Sequence, residues 1–271
     1  MSQKGLGDKM RIYSLCSSSS GNCTYIEEKN SGILIDAGFG VRNTCRFLAE
    51  AGIPETRIRA IFITHEHSDH ISGLNRLTQR WKIPVYASYG TLEKLLEKDA
   101  ISADVKLYEI NRRPAVIEDL SITAFHTPHD SAESLGFFVS NGKLQAGFCT
   151  DLGYVPDDVS EGLAYCKFVL LESNYDPAML QAGNYPFLLK ERIASNFGHL
   201  SNDDCALQVK KLLCRGVQRF LLGHLSRQNN LPELAYENVV SYLLSNGFQV
   251  GIDYQLAVAP VRNTNYQFVE L

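Results

Sequence analysis

Three histidines and an aspartate fall within the six residues His65-Glu66-His67-Ser68-Asp69-His70, directly after the apolar run Ala60-Ile61-Phe62-Ile63-Thr64. In an extended segment side chains alternate, so His65 and His67, two apart, can point the same way and grip one ion. Asp69 and His70 follow where the chain leaves the strand and can hold a second ion nearby. Imidazole and carboxylate together suit zinc, manganese or iron better than calcium or magnesium, and the same ligands do not choose among the three. Further candidates stand at the ends of other strand-like runs. His129 lies in the turn Thr127-Pro128-His129-Asp130-Ser131, Asp151 follows Gly147-Phe148-Cys149-Thr150, and His224 follows Phe220-Leu221-Leu222-Gly223. Asp151 is suited to bridge two cations. His126, inside a strand-like run, is expected to be structural.

The elements that must position these residues follow from periodicity. Strand patterns cover 11–15, 24–28, 33–36, the run from Ala60, 84–87, 105–109, 115–117, 120–126, 135–140 and 144–150, with Asn141-Gly142 marking a hairpin. Helical patterns cover 41–51, 74–80 and 92–98. After Asp151 the order becomes helix, strand 168–172, helices 177–182 and 187–196, and a helix capped by Ser201 that runs to Leu213. Strand 219–222, a helix over 232–244 and strand-like pieces 254–259 and 267–269 complete it. This order points to two sheets packed face to face with helices outside. A loose leader is expected over residues 1–9 and one domain over 10–271.

Composition narrows the class. A chain of 271 residues, 45% hydrophobic and 21% charged, can bury a sizeable core without crosslinks. The formal charge of -4 argues against bulk coating of nucleic acid, while leaving a local basic cleft open. The seven cysteines are scattered without a C-x-x-C pair and read as small buried hydrophobes of a reducing compartment. No run approaches the roughly 18 apolar residues of a membrane span, and no apolar signal region opens the chain. A cytoplasmic protein that makes no membrane contact is expected, with an oligomer left open.

The ligand cluster, with His129, Asp151 and His224, resembles the metallo-β-lactamase superfamily. Within it the chain is similar to the YycJ/WalJ-like group, through Cys16-Ser17-Ser18-Ser19-Ser20-Gly21-Asn22, Thr150-Asp151-Leu152-Gly153, Glu172-Ser173-Asn174-Tyr175-Asp176, Gly198-His199-Leu200-Ser201-Asn202 and Gly223-His224-Leu225-Ser226. The resemblance implies an α/β fold, a four-layer αββα sandwich of two mixed sheets. It implies two divalent ions, one on His65, His67 and His129, the other on Asp69, His70 and His224, with Asp151 between them. True β-lactamases carry a cysteine at the bridging position, and the aspartate here counts against antibiotic hydrolysis. His199 resembles the non-ligand histidine of the superfamily's phosphodiesterases and is the candidate general acid; Asp69, also a ligand, is the other candidate catalytic residue. The alternative for His199 is packing against the Ser201 cap.

Two divalent ions about 3.5–4 Å apart can hold a shared hydroxide and neutralise charge on a phosphate during in-line attack. No G-x-S-x-G elbow or P-loop offers another chemistry. Ser20 and Asn22, in a small polar run that also reads as a flexible turn, are candidate substrate contacts, as are Asn174, Ser226 and Arg227, with Asn229 beside them. The resemblance implies a 5′→3′ DNA exonuclease. A phosphodiester substrate is expected, DNA or RNA among the candidates. A small cyclic or nucleotide diester, a glyoxalase II-like thioester and a non-catalytic metal-stabilised scaffold are the alternatives.

Overall fold

Strands such as Ser31–Ile35 and Phe168–Glu172 are buried at every position rather than at every second one, so both of their faces must be covered. In the computed structural model, which describes residues 9–111 and 113–271, two seven-stranded sheets supply one cover and outer helices the other. The first half of the chain runs β1 (Met10–Ser18), β2 (Gly21–Glu28), β3 (Ser31–Ile35), α1 (Val41–Glu50), β4 (Ile58–Phe62), α2 (Ser68–Ile71), α3 (Leu74–Trp81), β5 (Val85–Ala87), α4 (Tyr89–Glu97) and β6 (Leu107–Glu109). The second runs β7 (Ala115–Ile117), β8 (Leu120–His126), β9 (Leu135–Ser140), β10 (Gln145–Cys149), α5 (Asp157–Leu163), β11 (Phe168–Glu172), α6 (Pro177–Ala182), α7 (Phe187–Ile193), α8 (Asn202–Leu213), β12 (Arg219–Gly223), α9 (Pro232–Ser245), β13 (Gln255–Val258) and β14 (Val269–Glu270).

The sheets have the orders β14-β1-β2-β3-β4-β5-β6 and β13-β12-β11-β10-β9-β8-β7. Both are mixed: β3 to β6 run parallel in the first, β10 to β13 in the second. Between the sheets lies one apolar layer, with Ile12, Ile26, Ile33 and Phe62 from one side and Phe137, Phe148, Phe168 and Leu170 from the other. A second layer packs α1, α3 and α4 on the first sheet through Phe47, Leu77 and Leu95. A third packs α5, α8 and α9 on the second sheet through Leu163, Leu212 and Val239. The four-layer αββα sandwich expected from the sequence is therefore the fold.

The differences from the sequence reading are local. The polar run 17–22 is a tight hairpin between β1 and β2, with a register irregularity between Ser14 and Cys16, because these small side chains fit a buried strand end. Asp69 and His70 lie on the short helix α2 rather than in a loop. His126 ends β8 with its side chain about 70% exposed and stands outside the His/Asp clusters. The proposed leader lies outside the described residues except for Lys9, which donates to Glu270 Oε1 at 2.6 Å. All seven cysteines are free. Among the described residues no helix is long and apolar enough to cross a membrane.

Candidate metal centre

Parallel strands deliver their carboxyl ends to one edge, and crevices at such edges are where α/β folds place ligands. Here both sheets do so together. Asp36 follows β3, His65 and His67 follow β4, Asp151 follows β10, Glu172 ends β11 and His224 follows β12. Three of these residues, Asp36, Asp151 and His224, have left-handed backbones with φ of 61°, 60° and 55°. Non-glycine residues avoid that region at a cost of about 1–3 kcal/mol each, so their neighbours must hold them there. His224 N donates to Ser17 Oγ at 2.8 Å, Leu152 N to Glu172 Oε2 at 3.0 Å, and Thr64 N to Asp36 Oδ1 at 2.9 Å. The turn after each strand thereby aims its side chain into the crevice.

His65, His67 and His129 bring one ring nitrogen each to within 4.8 Å of one another. His129 Nδ1 is 3.0 Å from the carbonyl oxygen of Gly198, which can only accept, so this nitrogen carries the proton and Nε2 presents a lone pair. That Nε2 lies 3.3 Å from His67 Nδ1. Burial, helped by the neighbouring imidazoles, pushes His65 well below the ordinary histidine range and His67 below it. Burial thus favours neutral rings with free lone pairs at His65 and His67. His65 Nε2 is buried and has no hydrogen-bond partner among the described residues.

A second group joins Asp69, His70 and His224. Asp69 Oδ2 stands 3.2 Å from His70 Nε2 and 3.3 Å from His224 Nε2, and accepts from Asn22 Nδ2 at 3.2 Å. His70 Nδ1 donates to Asp36 Oδ2 at 2.8 Å, which turns its other nitrogen to the crevice. Asp151 lies between the two groups: Oδ1 is 3.3 Å from His224 Nε2 and 3.9 Å from His129 Nε2, and Oδ2 is 3.5 Å from His70 Nε2. Its Oδ2 is buried without a hydrogen-bond donor. Burial is the largest influence on His224 and opposes its charge, yet Asp151, Asp69 and Glu172 outweigh it and lift the imidazole to about 10. His70 is lifted well above its usual range against the same burial, by Asp151, Asp36 and Asp69. Burial also disfavours the Asp69 anion, but His224 and His70 overcome it and hold the carboxyl below the usual range.

Protons on His70 and His224 take the place of cationic charge among these carboxylates. Among the described residues, a buried imidazole nitrogen and a buried carboxylate oxygen without hydrogen-bond partners fit divalent cations of borderline hardness.

Behind the ligands stands Glu172, fully buried. Its Oε1 accepts from His199 Nδ1 and His224 Nδ1, both at 2.8 Å, and its Oε2 from the backbone N–H groups of Leu152 and Leu200. Burial disfavours the anion, but the two histidines keep Glu172 ionised, below the ordinary carboxylate range. His199 is the partly exposed member, with its side chain about 20% accessible. Sequence reading assigned no role to Glu172 or Asp36. The available signal was an acid terminating an otherwise apolar buried strand, Phe-Val-Leu-Leu-Glu in one case and Ile-Leu-Ile-Asp in the other.

The proposed substrate contacts are placed unevenly. Asn22 is buried against Asp69 and His70, whereas Ser20 is exposed at the hairpin tip, its hydroxyl 3.0 Å from that of Ser18. Asn174 is buried beneath His224 and donates to its carbonyl oxygen at 2.8 Å. Ser226 Oγ accepts from Asn229 N at 3.1 Å, and Arg227 is exposed beyond it.

This edge-on His/Asp centre in an αββα sandwich defines a superfamily: the beta-lactamase superfamily domain matches residues 32–225, and the chain belongs to that family. Its relatives narrow the placement. The chain is 32% identical over 259 residues to exodeoxyribonuclease YycJ of Bacillus anthracis, covering 94% of this chain and 97% of that one. It is 32% identical over 246 residues to exodeoxyribonuclease WalJ of Streptococcus pneumoniae, covering 89% and 91%. The fold is similar to that of the metallo-β-lactamase fold protein YhfI from Bacillus subtilis, with a TM-score of 0.73 at 14% identity over 97% of this chain and 100% of that one. The likeness to the YycJ/WalJ-like group expected from the motifs holds, and the protein is a metal-dependent hydrolase.

Proposed function

We propose that the protein is a two-metal phosphodiesterase acting on nucleic acid, a 5′→3′ DNA exonuclease like its named relatives, working in the cytoplasm as one domain over residues 10–271. The observation that carries this reading is the position of Asp151 between the triad His65, His67, His129 and the triad Asp69, His70, His224, with Oδ1 3.9 Å from His129 Nε2 and 3.3 Å from His224 Nε2, and Oδ2 3.5 Å from His70 Nε2. One ion would sit on each triad, Zn or Mn being the leading identities and Fe a third. Bound there, the ions would supply Lewis acidity towards water and towards the phosphate oxygens.

The remaining work falls to the chain. His199 donates its Nδ1 proton to Glu172, which leaves Nε2 as the atom that holds or releases a proton at the open side. The buried Glu172 carboxylate fixes the orientation of the ring, which a general acid needs. That arrangement suits an alkoxide leaving group, which requires a proton. A thiolate, whose conjugate acid is near 8.5, leaves without one, so His199 and Glu172 favour a phosphodiester over a thioester. Asn22 and Asn174 orient Asp69 and His224, and Ser20, Ser226 and Arg227 remain the candidate substrate contacts on the rim.

The test is activity of metal-reconstituted protein on bis-p-nitrophenyl phosphate, 5′-labelled single- and double-stranded DNA and RNA, and an acyl-glutathione. Stepwise shortening of DNA is the expected result. Hydrolysis of the thioester alone would overturn the reading.

A further inference from the structure

Beside the metal centre an open cavity of about 750 Å³ runs from His67 and Ser68 at one end to Arg76 and Lys98 at the other. The route between them is nearly one helix. Ser72 and Gly73, which separate α2 from α3, keep right-handed helical backbones, so Ser68, Ser72 and Arg76 stand on one face at four-residue spacing. At 1.5 Å per residue Arg76 is about 12 Å from Ser68 along that axis. Lys98 approaches from the carboxyl end of α4.

Both cations are exposed, and among the described residues neither side chain makes an ion pair or a hydrogen bond. Exposed cations elsewhere in the fold divide between paired ones, with Arg80 bound to Glu55 and Arg192 to Asp130, and others such as Arg42, Lys167 and Lys211 that make no ion pair among the described residues. Two carboxylates share the cavity wall. Glu66 is nine-tenths buried and accepts from Ala132 N at 3.0 Å through Oε1, and Asp99 is exposed; neither lies within 4.0 Å of Arg76 or Lys98. The cavity therefore joins the candidate centre, through His67, to two positive charges that form no ion pair with the two carboxylates on the same wall. Its volume suits a nucleotide-sized occupant. A guanidinium and an ammonium converging on one space recognise phosphate, the first by a planar fork and the second as a point charge.

We propose that Arg76 and Lys98 form a phosphate subsite that holds the nucleic-acid strand a short way from the scissile linkage, an inference that rests on the phosphodiesterase reading above. Its role is to fix the strand relative to the ions, so that its loss weakens binding of a strand rather than the bond-breaking step.

The test uses the metal-loaded full chain and a 3′-fluorescein single-stranded DNA with cleavage-resistant phosphorothioate linkages, its affinity measured by anisotropy across a salt series. For single strands log K falls by about 0.7 per log unit of salt for each phosphate contact. The R76A/K98A variant should bind at least about tenfold more weakly at low salt, with a slope shallower by about 1.4. The K211A/R215A variant, at the carboxyl end of α8 and in the turn after it, serves as the charge-matched control and should bind as wild type does. Comparison of 5′-phosphate with 5′-hydroxyl strands distinguishes a terminal phosphate, for which the difference vanishes in the variant, from an internal one, for which both strands weaken equally. Unchanged affinity and slope in R76A/K98A, beside a wild type that cleaves diesters, would overturn the subsite alone. A wild type that neither binds nor cleaves any phosphodiester would overturn both readings.

Discussion

Replacing Glu172 by glutamine changes one atom and preserves shape, yet it breaks two of four hydrogen bonds at once. Glu172 is an acceptor at both oxygens, towards two imidazole N–H groups on one side and two backbone N–H groups on the other. A glutamine can place its oxygen on only one side, and its NH2 then faces two donors on the other. If the NH2 faces the histidines, His199 and His224 each lose an anion at 2.8 Å and must flip tautomer or rotate. Partners of this kind are worth about 10–100-fold in metal affinity or activity. Removing one member of a buried charge pair costs about 3–5 kcal/mol. E172Q should therefore lower both metal affinity and turnover on bis-p-nitrophenyl phosphate by about 10–100-fold and lower the melting temperature of the chelated protein. Metal titration, steady-state kinetics and thermal melts read these effects. Wild-type affinity and turnover within about twofold would refute the reasoning, since the donor clash at Glu172 cannot be avoided.

H199A should reduce kcat on DNA by about 10²–10⁴-fold while metal content stays at the wild-type level; equal loss of metal would make His199 a ligand instead. In the chelated protein the folded state holds a proton on His224 up to about 10, against 6.5 for the free group. That raised value stabilises the folded form fully below about 6.5 and the stabilisation is lost as pH rises through about 10. Melting temperature against pH should fall over that window without metal and fall less with it, because bound cations replace the proton; parallel curves would contradict this. G38A places a methyl 1.6 Å from the Asp69 carbonyl oxygen, so α2 must shift. Metal affinity should drop more than tenfold, on the order expected for overpacking of 1–3 kcal/mol, and calorimetry at wild-type affinity would contradict it.

What the sequence made legible was whatever one segment could declare. The histidine cluster carries four candidate ligands within six residues, and the others stand just beyond apolar strands, so residue type and local pattern sufficed to find them. Asp36 and Glu172 escaped because their partners arrive from other strands: His70 is 34 residues from the first, His199 and His224 are 27 and 52 from the second. A strand-terminal acid looks alike whether it faces water or backs an imidazole, and only strand order across both sheets decides. The exposure of His126 was not legible either, since a strand position does not say whether a side chain points into a layer or out of it. The hairpin at 17–22 was hidden by its composition, because serine and glycine suit a loop and a tightly packed strand end equally well.

Two-metal chemistry at this centre depends above all on Asp151 joining two ion sites. Calorimetric titration of the chelated protein with Zn²⁺ or Mn²⁺, wild type beside D151A, measures this directly. Two ions per chain in the wild type and one or none in the variant, with diester hydrolysis lost, is the expected result. Saturation of the wild type at a single ion, or two ions and full turnover in D151A, would contradict it.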